Sequence, residues 1–131
     1  MLKRIHHWLQ AHKFFKTVAI FATFSVIYLS LKPPNSEEQP WNFLFIRGDL
    51  VLHFTCYLGL TGLYFSALYT HEKAPFKAFI YALIVGTLLE FTQLLPFLNR
   101  YFDFLDLLAN LLGALFAWRI CNRFFYYSNR I

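Results

Sequence analysis

Residues 50–70 run for twenty-one positions without a formal charge. A helix crossing the hydrocarbon core of a bilayer needs about 20 apolar residues. Within lipid, only helices and closed barrels satisfy their own backbone groups. Three further blocks repeat the pattern. Residues 17–31 are uncharged between Lys16 and Lys32, and reach spanning length by taking in Phe14 and Phe15. Residues 78–98 carry only Glu90. The last block begins near Asp103 and closes at Arg119, so it spans only if Asp103 and Asp106 enter the membrane region. The sequence therefore predicts an all-α membrane protein, a single domain over residues 1–131, with four transmembrane helices at about 14–31, 50–70, 78–98 and 103–119. Composition agrees: 58% of residues are hydrophobic and 15% charged, against about 25% charged in soluble domains.

No small-residue cleavage pattern follows the first block, which runs into Pro33 and Pro34, so it reads as a retained anchor rather than a signal peptide. Cys56 and Cys121 fall in or beside apolar helices toward opposite membrane faces. Their placement argues against a disulfide, and no CxxC or Cys/His spacing marks a zinc site.

Orientation follows from Lys and Arg in the short flanking segments. Lys3, Arg4, Lys13, Lys16, Lys73, Lys77, Arg119, Arg123 and Arg130 flank one side, against Lys32, Arg47 and Arg100 on the other. Both termini and the turn around Lys73 are thus expected in the cytoplasm, with the net charge of +5 facing anionic lipid. Because these charges flank spans rather than line a groove, a nucleic-acid partner is not expected. Residues 1–16 place Ile5, Trp8, Leu9 and His12 along one side of a helix among cationic residues, the pattern of an interfacial helix. The longest connection, with Trp41, Phe43 and Phe45, reads as an aromatic flap at the outer interface.

Within this apolar frame the polar residues recur at helical spacing. Asp49, His53 and Tyr57 share a face of the second helix, Gly86, Glu90 and Gln93 a face of the third, and Asp103, Asp106 and Asn110 a face of the fourth. In the expected topology all three faces meet at the outer end. Glu90 lies thirteen positions from Lys77, and Asp106 thirteen from Arg119. Both are then roughly 20 Å above the inner edge, about 10 Å below the outer surface of a core about 30 Å thick. The expectation is an outward-facing polar pocket.

An acidic residue at the centre of a spanning helix costs about 2.5–3.5 kcal/mol on insertion scales, and such residues face a bundle interior or a wet cavity. A plain structural role as helix N-terminal caps explains Asp103 well. It does not explain Glu90, near the C-terminal end of its helix. Two carboxylates at one depth need compensation: one takes up a proton, or a cation sits between them. Arg100 is the obvious internal cation, able to reach Asp103 or Glu90, and Asp49 beside His53 is another pair. A divalent metal is a third option, Mg²⁺ or Ca²⁺ on the carboxylates, or Zn²⁺ or Mn²⁺ with His53, although no metal motif is present and no cofactor is expected. Gly59, Gly62, Ser66, Ala82, Gly86, Gly113, Ala114 and Ala117 supply small contact surfaces for close helix approach. The first span lacks them and is expected at the periphery. His6, His7, His12 and His71 read as solvated surface histidines.

These residues also carry a resemblance. The stretches GDLVLHFTCYLGL, GTLLEFTQLLP and RYFDFLDLLANLLGAL resemble the VanZ-like family of small bacterial membrane proteins, named for a teicoplanin-resistance factor. The ordered set His53, Tyr57, Glu90, Gln93, Arg100, Asp103, Asp106, Asn110 and Gly113 is its most specific part. One departure is Leu50, where the family often has a basic residue after the aspartate. The resemblance implies a protein of the bacterial cytoplasmic membrane, associated in some members with tolerance of lipoglycopeptide antibiotics, but supplies no agreed reaction.

Three functions compete. The first is binding of an envelope lipid or lipid-linked precursor headgroup by Asp49, His53, Tyr57, Glu90, Gln93, Arg100, Asp103, Asp106 and Asn110, with Arg100 and Tyr101 meeting phosphate or sugar. The second is an enzyme acting on a lipid-linked substrate, with His53 as base or metal ligand, Glu90 or Asp106 as acid and Arg100 as an electrostatic stabiliser. The third is an ion or proton pathway, which the few ionisable groups in the inner halves of the helices disfavour.

Overall fold

The computed structural model describes residues 11–33 and 40–126. The expected interfacial helix at 1–16 and the start of the long loop therefore lie largely outside the described residues. Four helices are long and apolar enough to cross a membrane: α1, His12–Leu31; α2, Gly48–Ala67; α3, Ala74–Thr92; and α4, Phe104–Ile120. A π-helical turn, Cys121–Tyr126, extends α4. Two strands of two residues each, β1 (Asn42–Phe43) and β2 (Ile46–Arg47), pair antiparallel in a hairpin leading into α2.

The third helix sits earlier than the expected 78–98. It starts at Ala74, with Pro75 in its first turn, where a missing N–H is tolerated. It stops at Thr92 because Pro96 disfavours helical backbone in the residue before it, and Leu95 is extended (φ −74°, ψ 122°). A single 3-10 turn, Pro96–Leu98, and Asn99 in the left-handed region then redirect the chain to α4. The start of α4 is capped by Asp103, whose side chain accepts from the Leu105 backbone N–H at 2.8 Å.

α2, α3 and α4 form the core, and α1 packs mainly on α2. Many buried positions are small, including Ala74, Ala78, Ala82, Ala114 and Ala117, alongside the larger Tyr57, Leu60, Phe65 and Leu89, while Ile20, Phe21, Phe24, Leu88, Leu112 and Phe116 point outward. This is the packing of helices in lipid, where apolar surface need not hide and association depends on close contact. Gly113 marks the tightest approach: a Cβ there would fall on the backbone carbonyl oxygen of Phe54. Gly86 accommodates the ring of Tyr57, whose Cε1 would lie 2.8 Å from an added Cβ. Gly59 and Gly62, expected to serve the same purpose, have open space where a Cβ would stand. α1 is tied to α2 by a 2.7 Å hydrogen bond between the hydroxyls of Thr23 and Tyr64. Cys56 and Cys121 are both free thiols.

Gly113→Ala should force α4 from α2 and lower stability by about 1–3 kcal/mol, whereas Gly59→Ala should stay within about 0.5 kcal/mol of wild type. Thermal unfolding in detergent reads both. Equal behaviour of the two variants would contradict the close α2–α4 approach.

Candidate functional site: a polar cluster between three helices

The first two turns of α2, the last turn of α3 and the first two turns of α4 lie at the same end of the bundle, and their polar faces converge there. The deepest contact is a chain through Asn110. Its Nδ2 donates to Glu90 Oε1 at 3.1 Å, and its Oδ1 lies 2.9 Å from His53 Nδ1. His53 stands between two carboxylates: Nδ1 is 3.6 Å from Glu90 Oε1 and Nε2 is 3.6 Å from Asp106 Oδ2. Asp106 and Glu90 thus meet opposite edges of one imidazole, each contributed by a different helix.

Above them lies a second tier. Arg47, the last residue of β2, bonds both oxygens of Asp49, with Nε 3.1 Å from Oδ1. Its Nη1 donates to Asp103 Oδ2 at 2.8 Å, and its Nη2 is 3.8 Å from Asp106 Oδ1. The outer groups are the more exposed, with 46% of the Arg47 side chain and 31% of Asp103 accessible against 23% of His53, 13% of Asp106 and 2% of Glu90. The hairpin is seated by Trp41, whose ring lies over Gly48 where no Cβ intervenes, and whose carbonyl accepts from the Gly48 N–H at 2.8 Å. The hairpin tip, Leu44 and Phe45, is fully open to the surroundings, with Leu44 at φ 56°.

Of the residues singled out in the sequence, Asp49, His53, Glu90, Asp103, Asp106 and Asn110 come together. Tyr57 is buried against Gly86, and Gln93 is buried at the C-terminal cap of α3. Arg100 is not the internal cation. It turns to the end of α1, donating from Nε to the Lys32 carbonyl at 2.9 Å and from Nη2 to that of Leu29 at 3.2 Å. The last carbonyls of a helix lack internal partners and carry partial negative charge, which a guanidinium satisfies. Asp49 likewise pairs with Arg47 rather than His53. In the sequence Arg47 stands out only as a charge that sets topology. The available signal was its position two residues before Asp49, at the mouth of the same helix.

Two buried acceptors at this end lack a hydrogen-bond partner. Glu90 Oε2 and Asp106 Oδ1 are buried and accept no hydrogen bond. Among the described residues, no three His, Cys, Asp or Glu side chains form a group able to hold a metal ion.

A multi-pass bundle with one acidic cluster inside an otherwise apolar helix packing defines the class: a small helical membrane protein with a polar site between its spans. The family model described as VanZ/LLP1 matches residues 4–126, so the chain belongs to the VanZ-like family. No curated protein and no solved structure gives a significant match.

The outer tier gives a test by acid. Asp103 is held below the ordinary carboxylate range, first by the hydrogen bond from Arg47 and then by the Leu105 N–H. A carboxylate depressed in the folded state stabilises the fold above its unfolded pKa of about 3.9, and that stabilisation fades as pH falls through the lower folded value. Arg47→Ala should therefore be modestly less stable than wild type at neutral pH, by under about 1 kcal/mol for so exposed a pair. The difference should begin to shrink below about pH 4 and close as pH falls through the lower folded value. Unfolding midpoints across pH read the gap, and a gap that persists in acid would refute the pairing.

Proposed function

We propose that the polar cluster binds the headgroup of an envelope lipid or lipid-linked precursor from the outer leaflet of the bacterial cytoplasmic membrane, with both termini in the cytoplasm. The observation that carries this reading is Glu90, almost wholly buried in a spanning helix with one carboxylate oxygen unpartnered. In a membrane, such a group is a functional candidate by default. The graded exposure from Arg47 down to Glu90 leads from the bundle end toward it. The connections at this end of the bundle carry the exposed side chains of Trp41, Phe43, Phe45, Phe97 and Tyr101, apolar bodies suited to the headgroup boundary. With Arg100 committed to the end of α1, Arg47 is the guanidinium at that mouth. The family's namesake connects the reading to teicoplanin tolerance, a function that would follow if the bound headgroup belongs to a cell-wall precursor.

A second reading, an enzyme acting on a lipid-linked substrate, is favoured by one feature. His53 is fixed by Asn110 through Nδ1 and has Nε2 directed at Asp106, the arrangement of an oriented acid–base group. Incubation of purified protein with undecaprenyl-linked phosphates would decide it: unchanged substrate removes the enzyme and leaves the binding site. The conduction reading gains nothing from the packing beneath Asn110, where Tyr57, Leu60, Ala82 and Ala114 form an apolar core.

Glu90→Ala and Asp106→Ala are expected to abolish both lipid co-purification and any antibiotic tolerance conferred on a sensitive bacterial host, while membrane insertion persists. Full retention by both inserted variants would remove the binding reading.

A further inference from the structure

Resting on the headgroup reading above, we propose that the group received between α2, α3 and α4 is an alkylammonium, and that Arg47 is the chain's own competitor for part of that place.

The inner tier is rich in acceptors and short of donors. Asn110 gives its amide hydrogen to Glu90 Oε1, which leaves its Oδ1 to accept from His53. His53 therefore carries its hydrogen on Nδ1, and in the neutral imidazole Nε2 presents a lone pair. Nε2 is 3.6 Å from Asp106 Oδ2, too far for a direct hydrogen bond whether or not it carries a hydrogen. Asp106 Oδ1 and Glu90 Oε2 are buried and accept nothing. Glu90 is 2% exposed, and its contacts with Asn110 and His53 turn its carboxylate into the cluster. Across both tiers the carboxylates of Asp49, Asp103, Asp106 and Glu90 stand against one guanidinium and one imidazole.

A phosphate or carboxylate entering here would bring more negative charge and more acceptors. An alkylammonium brings three N–H donors and a positive charge, and a cation between carboxylates is the compensation that their placement calls for. A metal ion is less suited, since no three ligating side chains are gathered to hold one among the described residues. A hydrogen-bonding cation instead spans gaps such as the one between His53 Nε2 and Asp106.

Arg47 already supplies a nitrogen cation at the mouth. It is 2.8 Å from Asp103 and reaches to 3.8 Å from Asp106 Oδ1 without closing a hydrogen bond. It sits on the hairpin just before α2 rather than within a spanning helix, so its side chain can swing aside without disturbing the bundle. A bound ammonium and Arg47 compete for the same carboxylates.

The sign of one substitution decides the matter. The full chain would be placed in nanodiscs of equal phosphatidylethanolamine and phosphatidylglycerol, and retained lipid measured by native mass spectrometry. Wild type should retain phosphatidylethanolamine preferentially. Arg47→Gln should raise that retention several-fold, and Asp106→Asn should lower it about tenfold, as expected for loss of a charge-assisted hydrogen bond. Soluble ethanolamine separates the sources: displacement of the lipid assigns binding to the ammonium alone, and resistance to displacement assigns it to the aminolipid, either one upholding the proposal. Preferential retention of phosphatidylglycerol, lost in Arg47→Gln, would overturn the ammonium while leaving a headgroup site. No preference in wild type, with no change in either variant, would overturn the ammonium, while the headgroup reading stands or falls on the co-purification test of Glu90→Ala and Asp106→Ala. Because Arg47 is exposed, its variant keeps the test open even where Asp106→Asn fails to fold.

Discussion

The structure depends on one hydrogen-bonded contact placed where water is scarce: His53 to Asn110 to Glu90, joining α2, α4 and α3. Hydrogen bonds between membrane helices contribute only about 0.6 kcal/mol on average, so this chain is not what makes the bundle stable. Its consequence is register. The imidazole of α2 meets the amide of α4 at 2.9 Å only if the two backbones lie at one height and close together. Gly113, one turn beyond Asn110, permits that closeness by leaving room for the Phe54 carbonyl, itself next to His53 in sequence. Small residues set the distance and polar residues set the height. Neither works alone, because Ala and Gly surfaces slide and polar groups without close backbones cannot reach.

The same division explains the two arginines at this end. Arg100 joins the α3–α4 connection to the last carbonyls of α1, holding the peripheral helix where its own packing is sparse. Arg47 joins the hairpin to the starts of α2 and α4 through Asp49 and Asp103. Both cations thus fasten loops to helix ends. Only Arg47 does so over the mouth of the buried cluster, and the difference follows from chain connectivity: Arg47 precedes α2 directly, whereas Arg100 sits beyond the left-handed Asn99 that turns the chain toward α1 and α4.

The number of helices and the three polar faces were legible because both are periodic properties of a local stretch. Twenty uncharged residues and a spacing of three or four leave little freedom. What escaped depended on side-chain reach. Arg100 and Arg47 are both near the predicted site end, and nothing in spacing tells which long side chain folds inward and which bonds a helix terminus. The hairpin escaped for a different reason: its loop, Leu44 and Phe45, lacks the Gly or Asn that marks a tight turn, and Leu44 takes a positive φ that a β-hairpin normally assigns to glycine. An apolar tip stands there in spite of its backbone cost. Gly59 and Gly62 misled for the converse reason, since small residues on a helix permit a neighbour but do not summon one.

A purely structural account covers only the outer half of the acidic cluster. Asp103 caps α4, Asp49 accepts from the Leu50 N–H in the first turn of α2, and Arg47 neutralises both, so these carboxylates are explained by helix ends and an exposed ion pair. Asp106 and Glu90 are left over. Asp106 lies in the first turn of α4, yet one of its buried oxygens accepts nothing. Glu90 stands in the last turn of α3, where the helix field opposes a negative charge. An apolar residue at position 90 would suit the packing and the field better than a carboxylate does. Glu90, linked through Asn110 and His53 toward Asp106, is therefore explained neither by a helix end nor by an exposed ion pair.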